Sequence, residues 1–103
     1  MDRGEEAQEI LRRIKADDFV LLHHASQRAE ERGISKENVI YCAKTCFHWE
    51  WQEEKGTHFF LGSLNEKDHG GFTAVLRDRA LVITVFKRRL TKWEKTLKKS
   101  KKP

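Results

Sequence analysis

The run Ala80-Leu-Val-Ile-Thr-Val-Phe86 constrains this 103-residue chain more than any other stretch. Successive side chains of a strand point to opposite faces. Here both parities are apolar, so a strand at this place needs cover on both faces and neighbours at its sides, and it belongs inside a sheet. Only 38% of the residues are hydrophobic and 36% are charged. The other apolar residues must therefore gather around that strand. A chain of this length closes around one core in a few layers, which predicts a single domain over residues 1–103.

The partners of that strand can be read from period-two alternation. Phe47, Trp49 and Trp51 alternate with His48, Glu50 and Gln52, giving a strand with one apolar face; Gly56 marks a turn and Thr57–Leu61 is the returning strand. Residues 62–71, GSLNEKDHGG, read as a polar loop in which His69 is solvated. Phe72–Arg77 and Ala80–Phe86 flank a tight Arg77-Asp78-Arg79 turn. Helical spacing appears elsewhere. Ala7, Ile10, Leu11 and Ile14 mark a helix over 3–16, with Asp2 and Glu5 as its start signal. A second helix over about 23–32 ends at Gly33. Ser35 caps a third over about 36–45, whose inner face is Val39, Ile40 and Ala43. Thr91 and Glu94 have capping-box spacing and open a last helix, from which Trp93 and Leu97 reach the sheet. The tail over 98–103 is expected to fray, and Phe19–Leu22 reads as a lead into the second helix. The expected class is α+β: helices on a curved four-stranded antiparallel sheet, then a C-terminal helix.

Charge is unevenly placed. Residues 87–103 hold nine Lys/Arg and one acid, whereas residues 1–86 hold twelve and fifteen. A cationic end of this kind favours a polyanion or serves as a solubilising tail. No apolar stretch is long enough to span a bilayer, and the first twenty residues lack a signal-peptide core. The cytosol is then the expected compartment, with Cys42 and Cys46 reduced. Cys42, Cys46 and His48 offer three ligands where zinc wants four, without a paired CxxC, so no metal and no cofactor is expected.

His24, Arg28 and Arg32 recur every four residues and form one row along the second helix. Such a row can hold a phosphate and move a proton, or it can be an ordinary solvated face with the arginines paired to acids. Metal-free RNA cleavage needs a base, an acid and cations at the phosphorane, so His24 and Arg28 are candidates. His48 and His58, with Glu50, are a second acid/base candidate or a plain exposed sheet face. Lys87, Arg88, Arg89 and Lys92, with Arg32, are candidates for phosphate contact. Trp49 and Trp51 can stack bases, but their alternation is the ordinary signature of core.

The pattern His24-Ala25, Arg28 and Arg32-Gly33-Ile34-Ser35 resembles a family of uncharacterised domains related to the RelE/ParE-type toxins, and strand 82–86 resembles that family's last core strand. The likeness spans roughly residues 19–88. It implies a RelE-like fold, kinship with ribonucleases and gyrase inhibitors, and an acidic antitoxin partner. The helix over 3–16 and the basic tail depart from the family pattern. The expectation is a RelE/ParE-like nucleic-acid-binding protein, an RNA-directed, metal-independent endoribonuclease with His24 as acid or base. The alternative is a non-catalytic module of the same fold that binds RNA, DNA or protein.

Overall fold

A computed structural model describes residues 1–100. The elements run α1 (Arg3–Lys15), β1 (Phe19–Leu21), α2 (His23–Glu31), α3 (Lys36–Lys44), β2 (His48–Gln52), β3 (Thr57–Ser63), β4 (His69–Leu76), β5 (Ala80–Lys87) and α4 (Lys92–Ser100). The class is α+β, as expected, but the sheet is five-stranded and mixed, in the order β1-β5-β4-β3-β2. The extra strand is β1, placed parallel to β5 with Phe19 opposite Ala80 and Leu21 opposite Val82. Leu22 N–H adds one more bond to the Val82 carbonyl, 3.0 Å. The lead into the second helix is thus a short edge strand. It explains why β5 is interior: β1 covers one side and β4 the other.

The segment expected as a polar loop is mostly sheet. β3 runs on to Ser63 and β4 begins at His69, with Ser63 opposite His69 and Gly62 opposite Gly70. Only residues 64–68 turn, held by Asn65, whose Oδ1 accepts from Lys67 N and Asp68 N at 2.8 Å each. Polar composition misleads here because a strand end needs backbone pairing more than apolar side chains.

The first three helices cover one face. Ala7, Ile10 and Ile14 of α1, Ala25 and Ala29 of α2, and Val39, Cys42 and Ala43 of α3 join Phe60, Phe72, Ala74, Val82 and Val85 in the main core. The alanines let α2 lie close along β5. The helix ends as its sequence demands: Gly33, at φ 67°, takes the left-handed conformation, and Ile34 N–H reaches back to the Ala29 carbonyl at 2.8 Å. Ser35 caps α3 reciprocally with Asn38. On the opposite face Phe47, Leu61 and Leu90 form a smaller cluster with Phe59 and Phe86 beside it. There α4 crosses the sheet near β2. Leu81, Ile83 and Phe86 of β5 on that side are only half-buried. α4 stays helical through Lys98 and Lys99, where the sequence predicts fraying, while 101–103 lie outside the described residues. No helix among the described residues is long and apolar enough to cross a membrane.

Candidate nucleic-acid interface

β4 starts and β5 ends at the same end of the sheet, and Arg88 N–H bonds to the His69 carbonyl at 3.1 Å. The chain then turns into α4. A groove of about 310 Å³ opens there, lined by Lys67, Asp68, His69, Lys87, Arg88 and Arg89. The cations come from two places: the 64–68 turn and the end of β5. Lys98 of α4 lies behind them and donates to His69 Nε2 at 2.8 Å. That bond makes Nε2 an acceptor, so the imidazole is neutral with its proton on Nδ1. Burial, and then the nearby Lys98 ammonium, hold the His69 pKa below the usual histidine value. The one acid in the lining, Asp68, stands 4.0 Å from Lys87 and already accepts from Asn65.

Not every cation in the groove is equally available. Arg88 clasps the Glu94 carboxylate with Nη1 at 2.7 Å and Nη2 at 2.8 Å. Glu94 also accepts from Thr91 N–H at 2.9 Å, while its own N–H bonds the Thr91 hydroxyl at 3.1 Å. The capping box expected at Thr91 is therefore present, and Arg88 is bolted to it as the brace of the β5–α4 corner. Arg89 and Lys92 are exposed.

The His24-Arg28-Arg32 row divides. Arg32, at the C-cap of α2, donates from Nη1 to the Val85 carbonyl at 2.9 Å. It satisfies the edge of β5 beyond the reach of β1, which is neither a pairing to a carboxylate nor an open phosphate site. His24 and Arg28 are exposed, and neither side chain makes a hydrogen bond or ion pair among the described residues. His24 is not in the lining of the cationic groove.

The cluster expected of His48, Glu50 and His58 does not form. His58 stands opposite Trp51, and His48 opposite Leu61. Cross-strand partners share a face, so His58 is on the helix-covered side with Trp49 and Trp51, while His48 and Glu50 lie on the other. His58 is 1% exposed. Its Nδ1 accepts from Trp49 Nε1 at 2.8 Å, and its Nε2–H donates to Glu6 Oε1 at 3.0 Å. Arg3 holds the same Glu6 oxygen at 2.9 Å. With both ring nitrogens engaged and no solvent access, His58 has no proton to trade; it ties α1 to the sheet. His48 faces outward, with Nε2 3.6 Å from Glu50 and its ring edge-on to Trp93. Trp93 itself is exposed rather than docked.

Burial holds the His58 pKa below the usual value, against the opposing pull of Glu6. Protonation would also set an Nδ1–H against the indole N–H. A lowered histidine pKa means that the folded state binds fewer protons than the unfolded chain, so stability is full above pH about 6.5 and declines as pH falls through that value. Thermal unfolding is expected to show a lower Tm at pH 5.5 than at 7.5. His58→Gln should flatten part of that difference; His69, also lowered, acts in the same direction. Glu6→Ala, which strands the buried Nε2–H, is expected to cost about 1–2 kcal/mol at pH 7.5, read from denaturant midpoints.

His69 and Lys67 carry no local signal that would single them out in the sequence, and Lys98 stands out there only as one cation of the basic C-terminal end. His69 and Lys98 meet across 29 positions, and no spacing announces such a contact. No group of three or more His, Cys, Asp or Glu suited to a metal ion occurs among the described residues. No family model matches the chain, and neither a curated protein nor a solved structure is significantly similar to it.

Proposed function

We propose that the protein binds nucleic acid through the cationic groove, with Lys87, Arg89 and Lys67 on the phosphates and Lys92 extending the interface along α4. The carrying observation is the composition of that groove: Lys67, Lys87, Arg88 and Arg89 against the single acid Asp68, with Lys98 behind. Point cations and guanidinium forks on one rim suit a phosphate backbone. The groove lacks a free proton carrier, since His69 is occupied by Lys98, and this favours binding without cleavage.

Affinity for RNA should fall steeply with salt. Deleting one phosphate-binding cation should take about 0.7–0.9 off the slope of log K against log salt. The double variant Lys87→Ala, Arg89→Ala is therefore expected to lower the slope by about 1.5 and the affinity at least tenfold in about 0.1 M salt. An unchanged slope in fluorescence anisotropy would remove the groove from the interface.

A second reading, a metal-independent endoribonuclease related to RelE and ParE, rests on the His24–Ser35 resemblance and is favoured by one observation: the exposed His24 keeps both ring nitrogens uncommitted. It predicts RNA fragments in EDTA that vanish with His24→Ala. In that case an acidic antitoxin would cover the cations, and it should co-purify with the chain.

A further inference from the structure

The face of the sheet left open by the first three helices carries a row of rings. Trp93 stands edge-on to His48, with centroids 5.6 Å apart. His48 stands edge-on to Phe59 at 6.5 Å, and Phe59 stacks on Phe86 at 5.5 Å. At the end of the row the Arg88 guanidinium lies 5.6 Å from the Phe86 ring centre. The row thus joins the cationic groove at β5 to the indole on α4.

The rings at the middle of the row are half-buried, whereas Trp93 is 63% exposed. An indole left this open is unusual for core packing, because the apolar gain of burial is largely forgone. It stands on a helix that also carries the exposed Lys92 and Lys95, and whose one acid, Glu94, is turned inward onto Arg88. Among the described residues two acids meet the row: Glu94, bonded to Arg88 at its end, and Glu50, 3.6 Å from His48. An exposed aromatic ring on a cationic helix matches a nucleic acid whose base faces are accessible. A duplex hides those faces in its stack, and an acidic protein would meet the charge but has no base faces to lay on the ring.

We infer that Trp93 is a base-stacking platform and that the protein selects single-stranded over double-stranded nucleic acid, the bases lying toward Trp93 and the phosphates in the groove lined by Lys87 and Arg89. This rests on the nucleic-acid reading above and adds to it the strandedness of the ligand and the residue that reads it. Stacking on an aromatic ring tolerates any base, so a preference for single strands without strong sequence selectivity follows.

The test compares fluorescein-labelled single-stranded RNA and DNA dodecamers of mixed sequence with the corresponding duplexes, at one salt concentration, by anisotropy. The full chain is used as wild type, Trp93→Ala, Trp93→Phe and the Lys87→Ala, Arg89→Ala double variant. Wild type should bind the single strands more tightly. Trp93→Ala should weaken single-strand binding by about 5- to 150-fold and leave duplex binding within about twofold, with Trp93→Phe retaining most of the affinity. The double variant should weaken both ligands together. The indole is exposed, so the alanine variant should keep the wild-type far-UV spectrum and Tm, and these are recorded alongside. Equal binding of single strand and duplex, or an equal loss on both in Trp93→Ala, overturns the platform while leaving the groove reading intact. Absence of binding to every probe overturns both.

Discussion

Glu94→Ala is expected to lower the unfolding free energy by about 2–3 kcal/mol, measured from urea midpoints at pH 7. Glu94 is 8% exposed and holds the turn from β5 into α4. Two Arg88 donors and the Thr91 N–H converge on its carboxylate. Alanine leaves all three without their acceptor, and Arg88 must then find water or the groove. The same bonds hold the carboxyl pKa down to about 2, chiefly through Arg88. A carboxyl with a lowered folded pKa contributes stability above its unfolded value, near pH 4.5, and loses it as pH falls toward 2. The gap between wild type and variant should therefore be full at pH 7 and narrow steadily below pH 4.5. A constant gap down to pH 2.5 would mean that the loss is one of packing rather than of charge. The variant also leaves Arg88 without its counter-ion beside the groove, so polyanion binding should become more salt-dependent while stability declines.

The second large effect is expected at Gly71. It lies in β4 between Leu61 of β3 and Phe86 of β5. A Cβ built there would stand 2.0 Å from the Phe60 carbonyl oxygen and 2.7 Å from the Phe86 ring. The obstructing oxygen is backbone of an interior strand, so relief requires the sheet itself to shift. Gly71→Ala should cost about 3 kcal/mol or more, at the upper end of overpacking effects, and should reduce soluble yield. Gly4→Ala is the matched control. Its Cβ would meet only Asp2 Oδ1, at 3.4 Å, in the first turn of α1, and alanine favours a helix by up to about 1 kcal/mol. A Tm for Gly71→Ala within about 2 °C of wild type would show that β4 yields locally, since 1 kcal/mol moves a domain of this size by about 4–8 °C.

These positions show what a linear reading can and cannot reach. The interior placement of β5 is legible because its apolar residues fall at both parities, although its outer face is only half-buried. The caps at Asp2, Ser35 and Thr91 are legible because each is a bond between residues three positions apart. β1 is not, since three residues are too few to display a period and a parallel pair has no turn to announce it. His58 falls on the face opposite to the expected one through register. The Glu53–Gly56 loop sets Gln52 opposite Thr57, and a slip of one residue would reverse every side chain of the hairpin. The cations of β5 are visible as a cluster in sequence. That Arg88 is spent on Glu94 and Arg32 on Val85 becomes visible only when remote segments meet. His24 and Arg28 keep the open positions that their spacing suggests, away from the groove lining, while the Lys98–His69 bond is wholly tertiary.

The parallel partnership of β1 with β5 also bears on how the polypeptide leaves the ribosome. Phe19 emerges early, but its partner Ala80 follows only after three further strands have appeared. Until then the apolar stripe of Ala7, Ile10 and Ile14 has only part of its eventual sheet to lie on. Until Ala80 is made, β1 has no strand to pair with. The stretch Ala80–Lys87 is then what knits β1, far back in the chain, to the β2–β4 meander.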